Sequence, residues 1–218
     1  GNNVRSRMEK CRVYVDQDDT FDGRWVLMVS RMRPGYKLSL SPFPFDYSYL
    51  RQDQIKYGIT PGIGKDQHFS PDYTIGLNLG WGDLLKKVRE AKKIHLSEES
   101  QELLNAEEDA ILGTMDLIQR SAEESKRLAE KEEDTERKNN LEVLASMNNK
   151  LIEKPPDSFR EACQWIIWFN IASRNYNRDG AGGQLDELLR PYYERDLSRG
   201  IISREDAVFF LTCFLLND

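Results

Sequence analysis

The chain has 218 residues, of which 39% are hydrophobic and 31% are charged, and its formal net charge is −6. A negative balance gives no electrostatic basis for binding nucleic acid, which favours a basic face. No run of about 18 apolar residues is present and no signal peptide opens the chain. We therefore expect a cytoplasmic protein that has neither a nucleic acid nor a membrane as a partner.

Residues 1–80 are predicted to form an irregular wrapping segment with short strands. They are rich in proline and glycine, and "RWVLMVSRM" (24–32) is their best strand candidate. A long stretch without regular structure is unusual inside a self-contained domain. We therefore expect this segment to wrap a surface that other parts of a protein supply.

Residues 81–218 are predicted to be helical, so that the fold class is mainly α with a few short strands. Apolar residues recur at helical spacing over 81–95 and again after Ser97, a candidate N-cap. The charged stretch 123–138 is predicted to be a solvated face or a helix junction. The apolar pattern resumes from Leu141 until "EKPP" (153–156) ends it, because proline stops a helix.

Two capping boxes precede the most apolar helices of the chain. They pair Ser158 with Glu161 and Ser203 with Asp206. The helix over 159–171 is apolar nearly all round, so it should be deeply buried. The last helix is also rich in large apolar residues, and we expect its burial to need partners beyond Asp218.

The glycine cluster "NYNRDGAGGQLDELLRPYYERD" (175–196) raises two binding hypotheses. A phosphate loop is excluded, because the glycines do not fit GxGxxG and no Lys-Ser/Thr follows them. An EF-hand-like calcium loop over 175–186 has the right spacing, with Asp179 and Gly180 in the positions that such a loop requires. Only two carboxylates, Asp179 and Asp186, would contribute charge, so calcium binding should be weak.

The histidines and cysteines form no metal site and no activated nucleophile. The two histidines, His68 and His95, belong to no ligand motif, and a lone histidine in a loop is usually structural. Cys11, Cys163 and Cys213 form no CxxC pair, and we expect free thiols in a reducing cytoplasm. Apolar neighbours keep a thiol protonated. The sequence therefore predicts no catalytic residue.

The segment "DTERKNNLEVLASMNNKLIEKPPDSFREACQWIIWFN" (134–170) resembles glycyl radical enzymes, which are pyruvate formate-lyase-like proteins. "GQLDELLRPYYERD" (183–196) is similar to a second segment of that family, with Gln184 and Glu187 in place of its usual Arg and Gln. "QHFSPDYTIGLNLGWGDLLKKV" (67–88) resembles a third, with Gln67 in place of a glycine. The matching residues of the first two segments are Glu136, Arg137, Pro155, Ser158, Phe159, Glu161, Ala162, Gln164, Trp168, Phe169, Gly183, Leu185, Asp186, Leu189, Pro191, Tyr192, Tyr193 and Asp196.

The resemblance implies the N-terminal part of a ten-stranded α/β barrel that is surrounded by helices, in which "PYYERD" belongs to a structural turn and helix. It implies anaerobic radical lyase or dehydratase chemistry on a small-molecule substrate. A partner activase, which uses S-adenosylmethionine and an iron–sulfur cluster, would install a glycyl radical, and a homodimer is a candidate assembly. The resemblance also implies that Asp66 and His68 bind substrate.

The chain contains neither a Gly-Cys-x-Glu loop nor an Arg-Val-x-Gly-[YF] radical motif. We therefore expect an N-terminal portion or a truncated relative of such an enzyme, inactive by itself and without a cofactor of its own. The alternative is a non-enzymatic helical scaffold or interaction module, with 175–186 as a weak calcium loop. Whether the chain is an enzyme stays open at this point.

Overall fold

The structure, a computed structural model, describes residues 2–23, 51–57, 71–174 and 183–217. All regular secondary structure of these residues is helical. This confirms the mainly helical prediction, whereas the short strands and the barrel stay predictions because the strand candidate 24–32 lies outside the described residues. In chain order the helices are α1 (Asn2–Lys10), α2 (Arg51–Lys56), α3 (Tyr73–Ile94), α4 (Glu98–Ala129), α5 (Thr135–Leu151), α6 (Phe159–Arg174), α7 (Leu185–Ser198) and α8 (Arg204–Asn217).

Three helices differ from the sequence expectation. α1 and α2 lie within the segment predicted to be irregular, and α3 begins at Tyr73 rather than at residue 81. The early start of α3 has a local cause, since the Asp72 side chain accepts a hydrogen bond from the Thr74 backbone N–H at 2.9 Å and caps the helix. The proposed boundary after residue 80 coincides with a kink inside α3 at Gly80. The division into two regions itself stays a prediction.

The long helix α4 packs along α5, and α1 and α3 also pack on it. The Ser97 side chain accepts a hydrogen bond from the Ser100 backbone N–H, which confirms the predicted N-cap of α4. The charged stretch 123–138 contains the end of α4 and the start of α5, as predicted for a helix junction. Asp134 caps α5 by accepting from two backbone N–H groups. None of the helices in the described ranges has the length and hydropathy of a membrane span.

α6 lies at the centre of the core and packs against α3, α4, α5, α7 and α8. Its capping box is confirmed, because the Glu161 N–H donates to the Ser158 hydroxyl and the Ser158 N–H donates to the Glu161 carboxylate, both at 3.2 Å. The prediction of deep burial is also confirmed. Seven apolar residues of α6 are at most 2% exposed: Phe159, Ala162, Cys163, Trp165, Ile166, Ile167 and Trp168.

α8 is buried on one face only. Its capping box is confirmed by hydrogen bonds of 2.8 and 3.0 Å between Ser203 and Asp206. Ala207 and Phe214 are buried against the core. The opposite face is exposed and largely apolar, with Val208, Phe209, Leu215 and Leu216 between 56% and 83% exposed. Within the described residues, no other element covers the large apolar side chains on this face of the helix.

Residues 11–23, which we call the strap, run without regular structure across α4, α5 and α6. Arg137 of α5 pairs with Asp18 of the strap at 2.8 Å. Asn140 of α5 donates to the carbonyl oxygens of Gln17 and Asp19 at 3.2 and 2.8 Å. Arg160 of α6 donates to the carbonyl oxygen of Thr20 at 2.7 Å. Helix side chains thus supply hydrogen-bond partners to backbone carbonyl groups of the strap.

Asp22 inserts its carboxylate between the helices and is 2% exposed. Its Oδ2 accepts hydrogen bonds from Ser121 at 3.0 Å, Ser125 at 3.1 Å and Asn148 at 2.6 Å. Its backbone N–H and carbonyl oxygen both bind the side-chain amide of Gln164 at 2.9 Å. A buried network of this kind specifies one position of the strap, because any shift would leave several polar groups without partners.

A close backbone approach fixes α3 to the connection between α5 and α6. At Gly80 the backbone φ is +66°, and an added Cβ would lie 2.5 Å from the Pro155 nitrogen and 2.6 Å from the Lys154 carbonyl carbon. Two residues later the Gly82 N–H donates to the Glu153 carbonyl oxygen at 2.9 Å. Only glycine can adopt this φ and also let the backbone of α3 approach residues 154 and 155 so closely.

We predict that Gly80→Ala lowers the free energy of unfolding by about 2–5 kcal/mol, because φ 66° with ψ 177° is a region that essentially only glycine adopts, at a cost of about 1–3 kcal/mol for other residues, and the overlap with Pro155 adds to that cost. Gly200→Ala is the matched control, since Gly200 has a φ of +67° and no atom within 4 Å of its added Cβ. It should lose only the backbone contribution of about 1–2 kcal/mol. Guanidinium denaturation measures both, and equal losses would contradict the role of the close approach.

Candidate functional site

A cavity of about 840 Å³ lies between the start of α3, the Pro155–Pro156 connection and α7. Its wall is mostly apolar, and polar side chains from α3 and α7 reach it. A concave, mainly apolar site with a few polar groups is typical of a small-molecule binding site. The polar lining residues are Asp72, Tyr73, Thr74, Asn78, Gln184, Glu187, Tyr192 and Arg195, and the apolar ones include Leu77, Leu188 and four prolines.

The α3 wall of the cavity is held by Tyr73, which is 1% exposed. Its hydroxyl donates to Asn170 Oδ1 of α6 at 2.7 Å. The Tyr73 ring also packs edge to face on Phe169, with 5.3 Å between centroids. The first turn of α3 is thereby positioned by the buried helix α6.

The α7 wall is held by two side chains of the "PYYERD" segment. The Tyr192 hydroxyl donates to the Leu77 carbonyl oxygen of α3 at 3.3 Å. The Arg195 guanidinium donates to the Asp157 carbonyl oxygen and lies 5.1 Å from the centroid of the Tyr192 ring. Burial raises the pKa of Tyr192, against the lowering effect of Arg195, so the phenol stays neutral at neutral pH.

The same segment supplies a cap for α6. Asp196 is 1% exposed, and its Oδ2 accepts a hydrogen bond from the Phe159 backbone N–H at 2.7 Å. Tyr193 packs edge to face on the Phe159 ring at 6.0 Å. The segment therefore forms a helix with a structural role, as predicted, and in addition lines the cavity through Tyr192 and Arg195, which the sequence analysis did not identify as site residues.

The predicted substrate-binding residues Asp66 and His68 lie outside the described residues, as does most of the glycine cluster. The described chain resumes at Pro71 and at Gly183, and both of these residues line the cavity. The two glycine-rich segments 58–70 and 175–182 therefore rejoin the described chain at the same cavity, one at its α3 wall and the other at its α7 wall. This convergence could not be inferred from the sequence, in which the two segments are more than 100 residues apart.

Of the predicted calcium loop 175–186, the structure describes only residues 183–186. Among them, Asp186 is the carboxylate that the hypothesis requires, and it is exposed in the first turn of α7. Across the described ranges, no group of three or more His, Cys, Asp or Glu residues could hold a metal ion. Calcium binding by 175–186 stays untested.

All three cysteines are free. Burial raises the pKa of the Cys163 thiol far above its ordinary value, so this cysteine is inert. Burial also raises the pKa of Cys11. At Cys11 this effect of burial outweighs the lowering effect of Arg120 on the pKa. The Thr20 hydroxyl donates to Cys213 Sγ at 3.3 Å.

The sequence model of a family described as pyruvate formate lyase-like matches residues 50–218. Trans-4-hydroxy-L-proline dehydratase of Clostridioides difficile is 31% identical over 100 residues, which are 44% of this chain and 13% of that protein. Isethionate sulfite-lyase of Nitratidesulfovibrio vulgaris is 34% identical over 97 residues, which are 43% of this chain and 12% of that protein. Indoleacetate decarboxylase of Tractidigestivibacter scatoligenes is 28% identical over 178 residues, which are 76% of this chain and 20% of that protein.

Solved structures show the same fold relationship. A glycyl radical enzyme from Archaeoglobus fulgidus superposes with a TM-score of 0.71 at 18% identity, over 96% of this chain and 34% of that one. Hydroxyproline dehydratase from Clostridioides difficile, with trans-4-hydroxy-L-proline bound, superposes with a TM-score of 0.71 at 18% identity, over 97% of this chain and 33% of that one. The chain thus spans about a third of these structures, and between an eighth and a fifth of the curated relatives above.

We predict that Asp196→Ala lowers the free energy of unfolding by about 1–3 kcal/mol, because it leaves the buried Phe159 N–H without an acceptor. Asp186→Ala is the matched control on the same helix, and it should change stability by less than about 0.5 kcal/mol because Asp186 is exposed. Urea denaturation of the two variants checks this. A loss at Asp186 as large as that at Asp196 would contradict the tertiary cap.

Proposed function

We propose that this chain, which belongs to the pyruvate formate lyase-like family, forms the N-terminal helical part of a glycyl radical lyase or dehydratase and supplies one wall of its substrate cavity. The observation that carries the proposal is the cavity between α3 and α7, at which both glycine-rich segments rejoin the described chain. The family match over 50–218 supports it. In this proposal the substrate is a small polar organic molecule.

The radical chemistry requires a glycyl radical, which membership of the family implies. Neither the radical motif nor the cysteine motif is present in the 218 residues, so the residues here do not fit that group. We therefore assign no bond-breaking step to this chain. Its contribution is to bind the substrate, to orient it and to exclude water from it, and by itself the chain is inactive.

The proposed substrate-binding residues are Asp66 and His68. His68 lies three residues before Pro71, which lines the cavity, and Asp66 lies five residues before it. A carboxylate and an imidazole can form hydrogen bonds with a hydroxyl, carboxylate or ammonium group of a substrate. Among the described residues, Tyr192 and Arg195 line the cavity from α7, and their polar groups are already engaged with the neighbouring backbone.

The proposed partners follow from the same family. They are an activase that uses S-adenosylmethionine and an iron–sulfur cluster, a small-molecule substrate and a second copy of the chain. We propose an anaerobic, cytoplasmic setting, without nucleic acid or membrane partners. One relative is the glycyl radical subunit of a 4-hydroxyphenylacetate decarboxylase, and its designation as a subunit is consistent with activation by a separate protein.

The test uses the full-length enzyme that contains these residues, activated by its activase. We predict that His68→Ala lowers turnover about tenfold or more, as expected when a group that positions the substrate is lost. The EPR signal of the glycyl radical and the thermal stability should be unchanged. The 218-residue chain is the reference, and it should show no radical signal after the same treatment.

His95→Ala is the matched control, because His95 is the other histidine of the chain and is exposed at the end of α3. It should leave turnover unchanged. If His68→Ala lowers stability instead, and turnover per folded molecule is unaffected, His68 is structural. A radical signal in the 218-residue chain would contradict its inactivity.

A scaffold or interaction module without catalytic activity is the second candidate, and the exposed apolar face of α8 favours it. This candidate includes the weak calcium loop over 175–186. We predict that about 1 mM calcium, the weak end of EF-hand affinities, does not raise the melting temperature, because only two carboxylates belong to the loop. A rise of several degrees that Asp179→Asn abolishes would favour the scaffold with its calcium loop.

A further inference from the structure

The two oxygens of the buried Asp22 carboxylate have different surroundings. Oδ2 accepts three hydrogen bonds, from Ser121 and Ser125 of α4 and from Asn148 of α5. Oδ1 is also buried, and it has no hydrogen-bond partner among the described residues. Such an orphan oxygen is unusual in a protein core, where nearly all buried polar atoms are paired.

The charged groups that face this carboxylate do not neutralise it at hydrogen-bond distance. From α6, Arg160 attracts it, but this guanidinium donates to the Thr20 carbonyl and to Asn140 Oδ1 instead, and its Nε has no partner within the described chain. From the strap, Asp19 repels it. The groups from α4 and α5 are neutral hydroxyls and an amide. From α8, Cys213 accepts a hydrogen bond from the Thr20 hydroxyl and interacts with Arg160.

Burial therefore raises the pKa of Asp22 to about 6, against the lowering effects of Ser121, Ser125 and Arg160. A carboxylate disfavoured by desolvation binds a proton more tightly than the same group in water. When the strap is lifted and Asp22 is solvated, its pKa returns to the ordinary value of about 4. The seated strap thus has the higher proton affinity.

We propose that the strap is a proton-linked conformational element, which takes up a proton at Asp22 when it seats on α4, α5 and α6 and loses that proton when it lifts. Because the seated form binds the proton more tightly, acid favours seating. This preference of acid for the seated strap is fully present below about pH 4, and it is lost as the pH rises through about 6. Above that value both forms are ionised.

The structure allows the strap to lift without unfolding the helices. Lifting would break the side-chain hydrogen bonds of the strap with α5 and α6 but none of the hydrogen bonds inside those helices, and local openings of this kind take place within a native state. Phe21, which is fully buried and packs against Phe210 of α8 at 6.3 Å, would leave the core together with Asp22. Lifting would therefore uncover apolar surface of α6 and α8.

Hydrogen exchange of the 218-residue chain tests the proposal, with rates corrected for the intrinsic pH dependence of exchange. Between pH 5 and pH 7 the opening equilibrium of residues 17–23 should rise about tenfold, as follows from pKa values of about 4 and about 6. Amides in the middle of α5 should not follow this change. Asp22→Asn should make the opening independent of pH in this range.

Two further variants keep the test decisive if Asp22→Asn does not fold. Ser125→Ala removes a donor that lowers the pKa of Asp22, so the transition should move to higher pH. Glu124→Gln changes a surface carboxylate of the same helix, paired with Arg127, and should leave the transition unchanged. The proposal is overturned by a flat profile in the wild type, by an unmoved transition in Ser125→Ala, or by α5 amides that open in parallel with the strap.

Discussion

The fold depends on the need to enclose α6, a helix that has no polar face to present to water. Burying it requires neighbours on every side, and α3, α4, α5, α7 and α8 supply them, while the strap reaches it through Gln164. Each of these elements has an apolar stripe that faces the same helix, and burial of such stripes is the dominant favourable contribution to folding. The cavity lies where this enclosure is incomplete, between the first turn of α3 and α7.

Polar groups determine where the neighbours of α6 sit, although apolar burial supplies most of the free energy. Asp196 binds the first backbone N–H of α6, and Asp22 is bound through its backbone by Gln164 in the middle of the helix. Trp168 of α6 donates to Asn148, which in turn donates to Asp22. These buried contacts tolerate one arrangement only, so they give the packed helices a defined register that apolar contacts alone would leave loose.

The sequence predicted what depends on local chemistry. The caps at Ser97, Ser158 and Ser203 are interactions within four residues, and the burial of α6 follows from its composition. The cap from Asp196 spans 37 residues and the Gln164 contact with Asp22 spans 142, so no spacing rule could reveal them. The cavity combines three distant segments for the same reason. The candidate site residues Asp66 and His68 came from the family resemblance, because an isolated carboxylate and an imidazole carry too little pattern of their own.

The two sides of the cavity differ in how firmly they are joined to the core. At Gly80 and Gly82 the backbone of α3 meets the backbone of residues 153–155 directly, with no side chain between them that could change rotamer. The α3 wall and the diproline connection are therefore held together by backbone contacts. Near the cavity, α7 meets them through the side chains of Tyr192 and Arg195, whose torsions can adjust. The two walls of the cavity thus differ in kind, because backbone packed on backbone fixes one of them and side-chain torsions position the other.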